Sequence, residues 1–127
     1  MRSAAKRTST QVLFDEKPPT NEDLHLFELA ASLGFGDVHF KLDPAVDLQA
    51  IVAIHSTRLG PALGGCRLLP YPSTEAAVLD AMRLARGMTY KAAISGLPQG
   101  GGKAVLILPP YIKDREAYFE SFARFVD

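Results

Sequence analysis

Two short apolar runs, Ala50-Ile51-Val52-Ala53-Ile54 and Ala104-Val105-Leu106-Ile107-Leu108, constrain this chain more than anything else in it. Each is a brief unbroken stretch of the kind found in strands covered on both faces, and Pro109-Pro110 stops the second. A strand buried on both sides needs a layer above it and a layer below. The sequence supplies helices for that purpose. Pro72-Ser73 opens the most periodic one, with Ala77, Ala81, Leu84 and Met88 on one stripe and Glu75, Asp80, Arg83 and Arg86 facing away. Thr20-Asn21-Glu22-Asp23 has capping-box spacing and predicts a helix to about Leu33, stopped by Gly34. Asp114 reads as the N-cap of a third helix, whose stripe is Tyr118, Phe122, Phe125 and Val126. Val38 to Leu42 alternates as a half-buried strand does, and Asp43-Pro44 with Asp47 predicts a hairpin turn into the run at Leu48 to His55. Gly60 to Gly65 breaks regularity before a further short strand, Cys66 to Pro70. Strands and helices interleave, so the fold class is α/β, a mixed β-sheet flanked by helices.

Residues 1–19 are mostly polar and end in Lys17-Pro18-Pro19, which predicts a flexible tail; residues 20–127 make one domain. Fourteen basic side chains balance fourteen acidic ones. That balance leaves no electrostatic footprint for nucleic acid and no polybasic membrane patch. The single cysteine, Cys66, excludes an internal disulfide and fits a reducing compartment. No apolar run approaches membrane-spanning length. The expectation is a soluble, cytoplasmic protein.

Lys91 and Lys103 are the residues that need explaining. Three residues beyond Met88, the helical stripe reaches Lys91, which places an ammonium at the end of the face expected to be buried. Lys103 sits between Gly100-Gly101-Gly102 and the second apolar run. An unpaired ammonium is expensive to strip of water. Each lysine alone has a bland reading: Lys91 complements the helix macrodipole and reaches out to water, and Lys103 is solvated at a strand entrance. Glycines beside Lys103 and at Gly64-Gly65 favour a cleft, because they let main chain approach a ligand and leave room beside an ammonium. Two ammonium groups in one cleft could divide the work. One would pair with a substrate carboxylate, and the other, desolvated near a like charge, could act as a base near neutral pH.

Rival readings of these residues are weaker. A phosphate loop needs glycine where Leu97 stands and Ser or Thr where Ala104 stands, and here a strand follows the lysine instead of a helix. No G-x-G-x-x-G occurs, so these residues carry no dinucleotide fingerprint. His25, His39 and His55 read as structural, His25 with no partner in view, and no paired His or Cys spacing suggests a metal. Cys66 reads as a small packing residue.

Gly60-Pro61-Ala62-Leu63-Gly64-Gly65-Cys66-Arg67, Arg86-Gly87-Met88-Thr89-Tyr90-Lys91 and Gly100-Gly101-Gly102-Lys103 together resemble the N-terminal region of the glutamate/leucine/phenylalanine/valine dehydrogenases. The resemblance runs from about Val38 to the end. It implies the substrate-binding and dimerisation domain of an enzyme that reversibly deaminates an L-amino acid to its 2-oxo acid and ammonia. NAD or NADP would be bound by a Rossmann-type domain absent from this chain, and the subunits would form a homo-oligomer. By the same resemblance Lys91 would pair with the substrate α-carboxylate, and Lys103 would be the base that activates water. Main chain at Gly64 and Gly65 would line the site, and Met88 would support it. Glutamate-specific relatives carry lysine before the Gly-Gly pair; Leu63 stands there in this sequence and offers a side-chain carboxylate no counter-charge, which implies an apolar substrate such as leucine, valine, isoleucine or phenylalanine. The family's catalytic aspartate, in a Thr-Ala-Glu-Asp type segment, would fall past Asp127. The chain by itself is therefore expected to be inactive. The alternative is a stand-alone, non-catalytic binding or oligomerisation module of the same fold.

Overall fold

The computed structural model describes residues 25–127, so the capping-box segment at Thr20 and the tail before it lie outside the described residues. The elements run α1 (Leu26–Leu33), β1 (Asp37–Asp43), β2 (Leu48–Ser56), β3 (Ala62–Leu63), β4 (Cys66–Leu69), α2 (Thr74–Ile94), β5 (Gly100–Ile107) and α3 (Arg115–Val126). Gly34 stops α1 as expected, at φ 82° in the left-handed region, and Phe35 N–H closes the cap on Ala30 O. His25 is the N-cap of α1 in an extended conformation, and its ring meets Glu28 at 2.8 Å, a partner the sequence did not reveal. Ser73 and Asp114 cap α2 and α3 through Oγ and Oδ1, accepting from Ala76 N–H and Ala117 N–H.

The five strands form one mixed sheet. β1 and β2 are an antiparallel hairpin with Asp43 opposite Leu48, and β2 pairs antiparallel with β5. On the other side of β5, β3 and β4 both run parallel to it. Leu63 pairs with Gly101 and Cys66 with Ala104, three residues on in both strands. They are one edge strand in a single register, interrupted at Gly64-Gly65. Sequence reading left Gly60 to Gly65 without regular structure; Ala62–Leu63 is strand because β5 offers it a ladder.

Each face of the sheet buries its own core. On one face Ile51, Ala53 and Val105 meet Ala77, Val78, Ala81, Met82 and Ala85 of α2, with α1 packed alongside. On the other Leu48, Ala50 and Leu106 lie under Tyr118 of α3. The Tyr118 hydroxyl is fully buried and has no hydrogen-bond partner among the described residues, and burial followed by nearby Cys66 pushes its ionisation up. Ser121 Oγ donates to Asp43 Oδ2 at 2.5 Å, tying α3 to the end of β1 and holding the Asp43 carboxyl below its usual range.

Three expectations change in the structure. The glycine triplet lies inside β5, whose first residue is Gly100, rather than ahead of it. The buried line of α2 is Ala77, Ala81, Ala85 and Ala92 with Val78 and Met82 beside it, while Leu84 and Met88 are half-buried and Lys91 is exposed. The reason is closeness: a Cβ on Gly101 would stand 2.2 Å from the Thr89 backbone nitrogen and 2.5 Å from Ala85 O, so no bulky side chain fits where the helix crosses Gly101, while Val78 and Met82 pack farther along the sheet. Lys91 thus belongs to the helix flank, not to its buried face. The third change concerns β1, whose apolar side joins the core at Val38, while Phe40 and Leu42 are 60% and 66% exposed. Among the described residues no helix is long and apolar enough to cross a membrane.

Gly101→Ala is expected to destabilise the fold by about 3 kcal/mol or more, because the added methyl meets backbone that cannot yield. Gly87→Ala, in α2 with nothing within 4 Å of its added Cβ, should instead stabilise by roughly 0.5–1 kcal/mol. Urea midpoints of the two variants against the parent chain check both signs.

Candidate functional site

The interruption at Gly64-Gly65 positions the candidate residues. Ala104 N–H donates to Gly65 O at 3.0 Å, which carries the ladder across the break. A Cβ on Gly64 would stand 1.6 Å from Gly102 O, so the two main chains approach as only glycine permits. A Cβ on Gly65 would lie 3.2 Å from Lys103 Nζ, which puts the ammonium directly over the Gly65 α-carbon. Lys103 is half-buried. Gly101 and Lys103 are two residues apart in β5 and project to the same face, the one that α2 covers, and Leu63, opposite Gly101, shares it. Leu63 is 40% exposed there.

The structure therefore brings Leu63, Gly64, Gly65 and Lys103 together from β3, the break that follows it, and β5. Met88 and Lys91 are placed relative to these residues only by their position on α2. Thr89, one residue past Met88 and two before Lys91, lies against Gly101, and Lys103 is two residues beyond Gly101. Lys91 stands in the last turn of the helix, where its charge complements the macrodipole. The region is an open surface. Two grooves of about 600 and 410 Å³ lie elsewhere, one beside Pro109-Pro110-Tyr111 and the other between α1 and β1.

Each glycine of the triplet has a packing reason. A Cβ on Gly100 would stand 1.7 Å from Ser56 O, one on Gly101 would strike α2, and one on Gly102 would lie 3.3 Å from Ala62 Cβ and Ile54 Cδ1. The triplet is enclosed by protein and has no free main chain to cradle a phosphate. The same crowding, with no helix N-terminus beside it, leaves no nucleotide site in these residues. No cluster of three or more His, Cys, Asp or Glu side chains suited to a metal occurs among the described residues. Cys66 opens β4 next to Lys103; partial burial of its thiol pushes the ionisation up, opposed by the Lys103 ammonium. Cys66 is exposed, so the expected packing role is not what the structure shows, and the raised thiol does not favour a nucleophile either.

Sequence reasoning missed two arrangements. Asp80 was assigned to the outward face of α2, yet its Oδ2 accepts from Tyr71 Oη at 2.5 Å and from Arg67 Nη1 at 3.2 Å. These bonds pin β4, and with it the Gly64-Gly65 break, to the helix. Burial first and the Asp80 carboxylate second push the Tyr71 phenol up to about 12. No local pattern announces the pairing, because it arises where β4 passes under α2. His55 is the other. It falls at a shift of register between Ile54 and Ser56, and its ring nitrogens meet Leu33 O and Thr89 Oγ1, each at 2.9 Å.

The raised Tyr71 ionisation means that its neutral form stabilises the fold below about pH 10 and that this contribution is lost as pH rises through about 12. Asp80→Asn should lower the Tyr71 ionisation part of the way only, since burial remains. NMR or ultraviolet titration against a Tyr71→Phe reference reads the shift.

Comparison with known proteins supports the family and the fold. Residues 37–127 match the family model described as Glu/Leu/Phe/Val dehydrogenase, dimerisation domain. Leucine dehydrogenase of Geobacillus stearothermophilus is 50% identical over 103 residues, covering 81% of this chain and 28% of that protein. Phenylalanine dehydrogenase of Bacillus thermotolerans is 46% identical over 112 residues, covering 88% of this chain and 29% of that protein. The crystal structure of L-tryptophan dehydrogenase from Nostoc punctiforme superposes with a TM-score of 0.76 at 48% identity, covering 80% of this chain and 30% of that one. The chain thus spans under a third of the length of these relatives.

Proposed function

The chain belongs to the Glu/Leu/Phe/Val dehydrogenase family, matching its dimerisation domain, and from that premise we propose that it is the substrate-binding part of an amino-acid dehydrogenase acting on an apolar L-amino acid. The reaction is reversible oxidative deamination, in which amino acid and water yield the 2-oxo acid and ammonia while a nicotinamide cofactor takes the hydride. The glycine triplet does not fit that cofactor, because it is enclosed by protein. NAD or NADP would be held by residues outside this chain, and none of the roles below depends on contact with it.

The observation that carries the reading is the Lys103 ammonium over Gly65, at the break of the edge strand. A substrate main chain can approach there without meeting a side chain. Lys91 pairs with the substrate α-carboxylate and fixes its orientation. Lys103 takes a proton from water at Nζ as that water attacks the substrate's imino carbon, and returns it in the reverse direction. Gly64 and Gly65 line the floor of the site, and Met88 supports the helix side of it. Leu63, on the same face as Lys103, gives the substrate side chain an apolar neighbour. A glutamate side chain would be desolvated there without a counter-charge.

Family kinship supports self-assembly as well. Phe40 and Leu42, exposed on the apolar side of β1, are surface that a second copy would cover. Sedimentation over a wide concentration range should show association that Phe40→Asp weakens; a chain that stays monomeric throughout contradicts self-assembly.

The experiment that tests the function is a deamination assay on the protein of the complete reading frame, with leucine, valine, phenylalanine and glutamate. Turnover is expected for an apolar amino acid and not for glutamate. Lys103→Ala should lower kcat by about 10²–10⁴-fold, the usual worth of a positioned acid-base group. Preference for glutamate sinks the substrate assignment. Absence of turnover by a correctly folded full-length protein favours the non-catalytic module.

A further inference from the structure

We infer that His55, acting through Thr89, is a positioning residue for the turn of α2 that carries Met88 and Lys91. The inference rests on the substrate-binding role proposed above for Lys91.

β2 loses register with β5 between Ile54 and Ser56, and His55 is the residue at that irregularity. Such irregularities re-aim a side chain. His55 is half-buried, with the Phe35 ring edge-on at 4.8 Å and the Tyr90 ring at 6.2 Å between centroids. Its hydrogen bonds fix its tautomer. Leu33 O can only accept, so the proton sits on Nε2, and the neutral ring leaves a lone pair on Nδ1 for the Thr89 hydroxyl. One imidazole thus joins the C-terminus of α1 to the last third of α2.

That joint does work the apolar packing cannot. Val78 and Met82 pack with Ile51 and Val105 in the first half of α2, but where the helix crosses Gly101 it presents Ala85 and Thr89, so its last third has little apolar relief to resist rotation. A directional bond at Thr89 supplies what is missing. Met88 precedes Thr89 and Lys91 follows it by two residues, so an error in the helix at Thr89 is passed directly to both. Lys103 is anchored separately in β5 and does not depend on this contact.

The two lysines should therefore respond differently when the joint is cut. Thr89→Val keeps the shape and removes only the hydroxyl; Thr89→Ser keeps the hydroxyl. Steady-state kinetics with L-leucine on the complete-reading-frame protein, with thermal midpoints measured alongside, separates the cases. A carboxylate partner that acts equally in ground and transition states affects KM, so Thr89→Val is expected to raise KM about tenfold with kcat changed less than about twofold. Thr89→Ser should restore the parent KM, and His55→Ala should repeat the effect of Thr89→Val. A fall in kcat at unchanged KM means only a smaller folded fraction and overturns the inference, as does an unchanged KM in both Thr89→Val and His55→Ala. Lys91→Ala serves as the reference. If it leaves KM unaltered, the carboxylate role itself fails and the inference falls with it; if it raises KM while Thr89→Val does not, only the positioning role fails.

Discussion

The approach of α2 to the glycines of β5 is the constraint on which the rest of the structure depends. With the Thr89 nitrogen 2.2 Å from where a Gly101 Cβ would be, helix and strand meet at backbone distance. Two consequences follow from that one spacing. Where the helix crosses Gly101 it presents Ala85 and Thr89, and the neighbouring Leu84 and Met88 lie on the half-buried flank. The strand must carry glycine at its entrance, which leaves Lys103 as the first side chain of β5 able to project toward the helix. A lysine in that place has neighbouring main chain on the sheet side and the edge strand at Gly65 beside it, rather than a wall of apolar side chains.

Much of this architecture was legible in the sequence. The two apolar runs announced β2 and β5, the caps at Ser73 and Asp114 and the stop at Gly34 fell where expected, and the hairpin at Asp43-Pro44 formed. These are local signals, set by propensity, periodicity and capping chemistry. What escaped was tertiary. The rotation of α2 could not be read from hydrophobic periodicity, because alanine contributes little to an apolar stripe yet is the residue that close packing selects. The strand character of Ala62–Leu63 depends on a partner nearly forty residues away in sequence. The glycine triplet reads as a loop by composition, and only its neighbours on three sides reveal it as strand.

The candidate site divides along the same line. Leu63, Gly64, Gly65 and Lys103 were singled out from sequence, and the ladder of β3, β4 and β5 brings them together. Lys91 was singled out for the wrong local reason, as the end of a buried face, and lies instead on the exposed flank of the last helical turn. The supporting contacts were invisible beforehand. Asp80 reads as a solvent-facing acid, yet it fastens β4 to α2 through Arg67 and Tyr71; His55 reads as structural, but no local pattern shows that it fastens α1 to α2 through Leu33 O and Thr89. In each case a polar side chain adds a directional bond to a helix that apolar contact alone would otherwise hold against the sheet.

The Thr89 hydroxyl has a property that bears on how this assembly meets changes of acidity. It lies within reach of a second acceptor, Ala85 O at 3.5 Å. Should the imidazole of His55 take up a proton, Nδ1 becomes a donor, and the hydroxyl can accept from it while turning its own hydrogen toward Ala85 O. The bond from Nε2–H to Leu33 O is unaffected. Donor and acceptor exchange roles across the same atoms, and neither helix has to move. A carboxylate or an amide nitrogen in place of the hydroxyl would tolerate only one charge state of the ring; threonine accommodates both, so this link between helices persists whichever state the ring adopts.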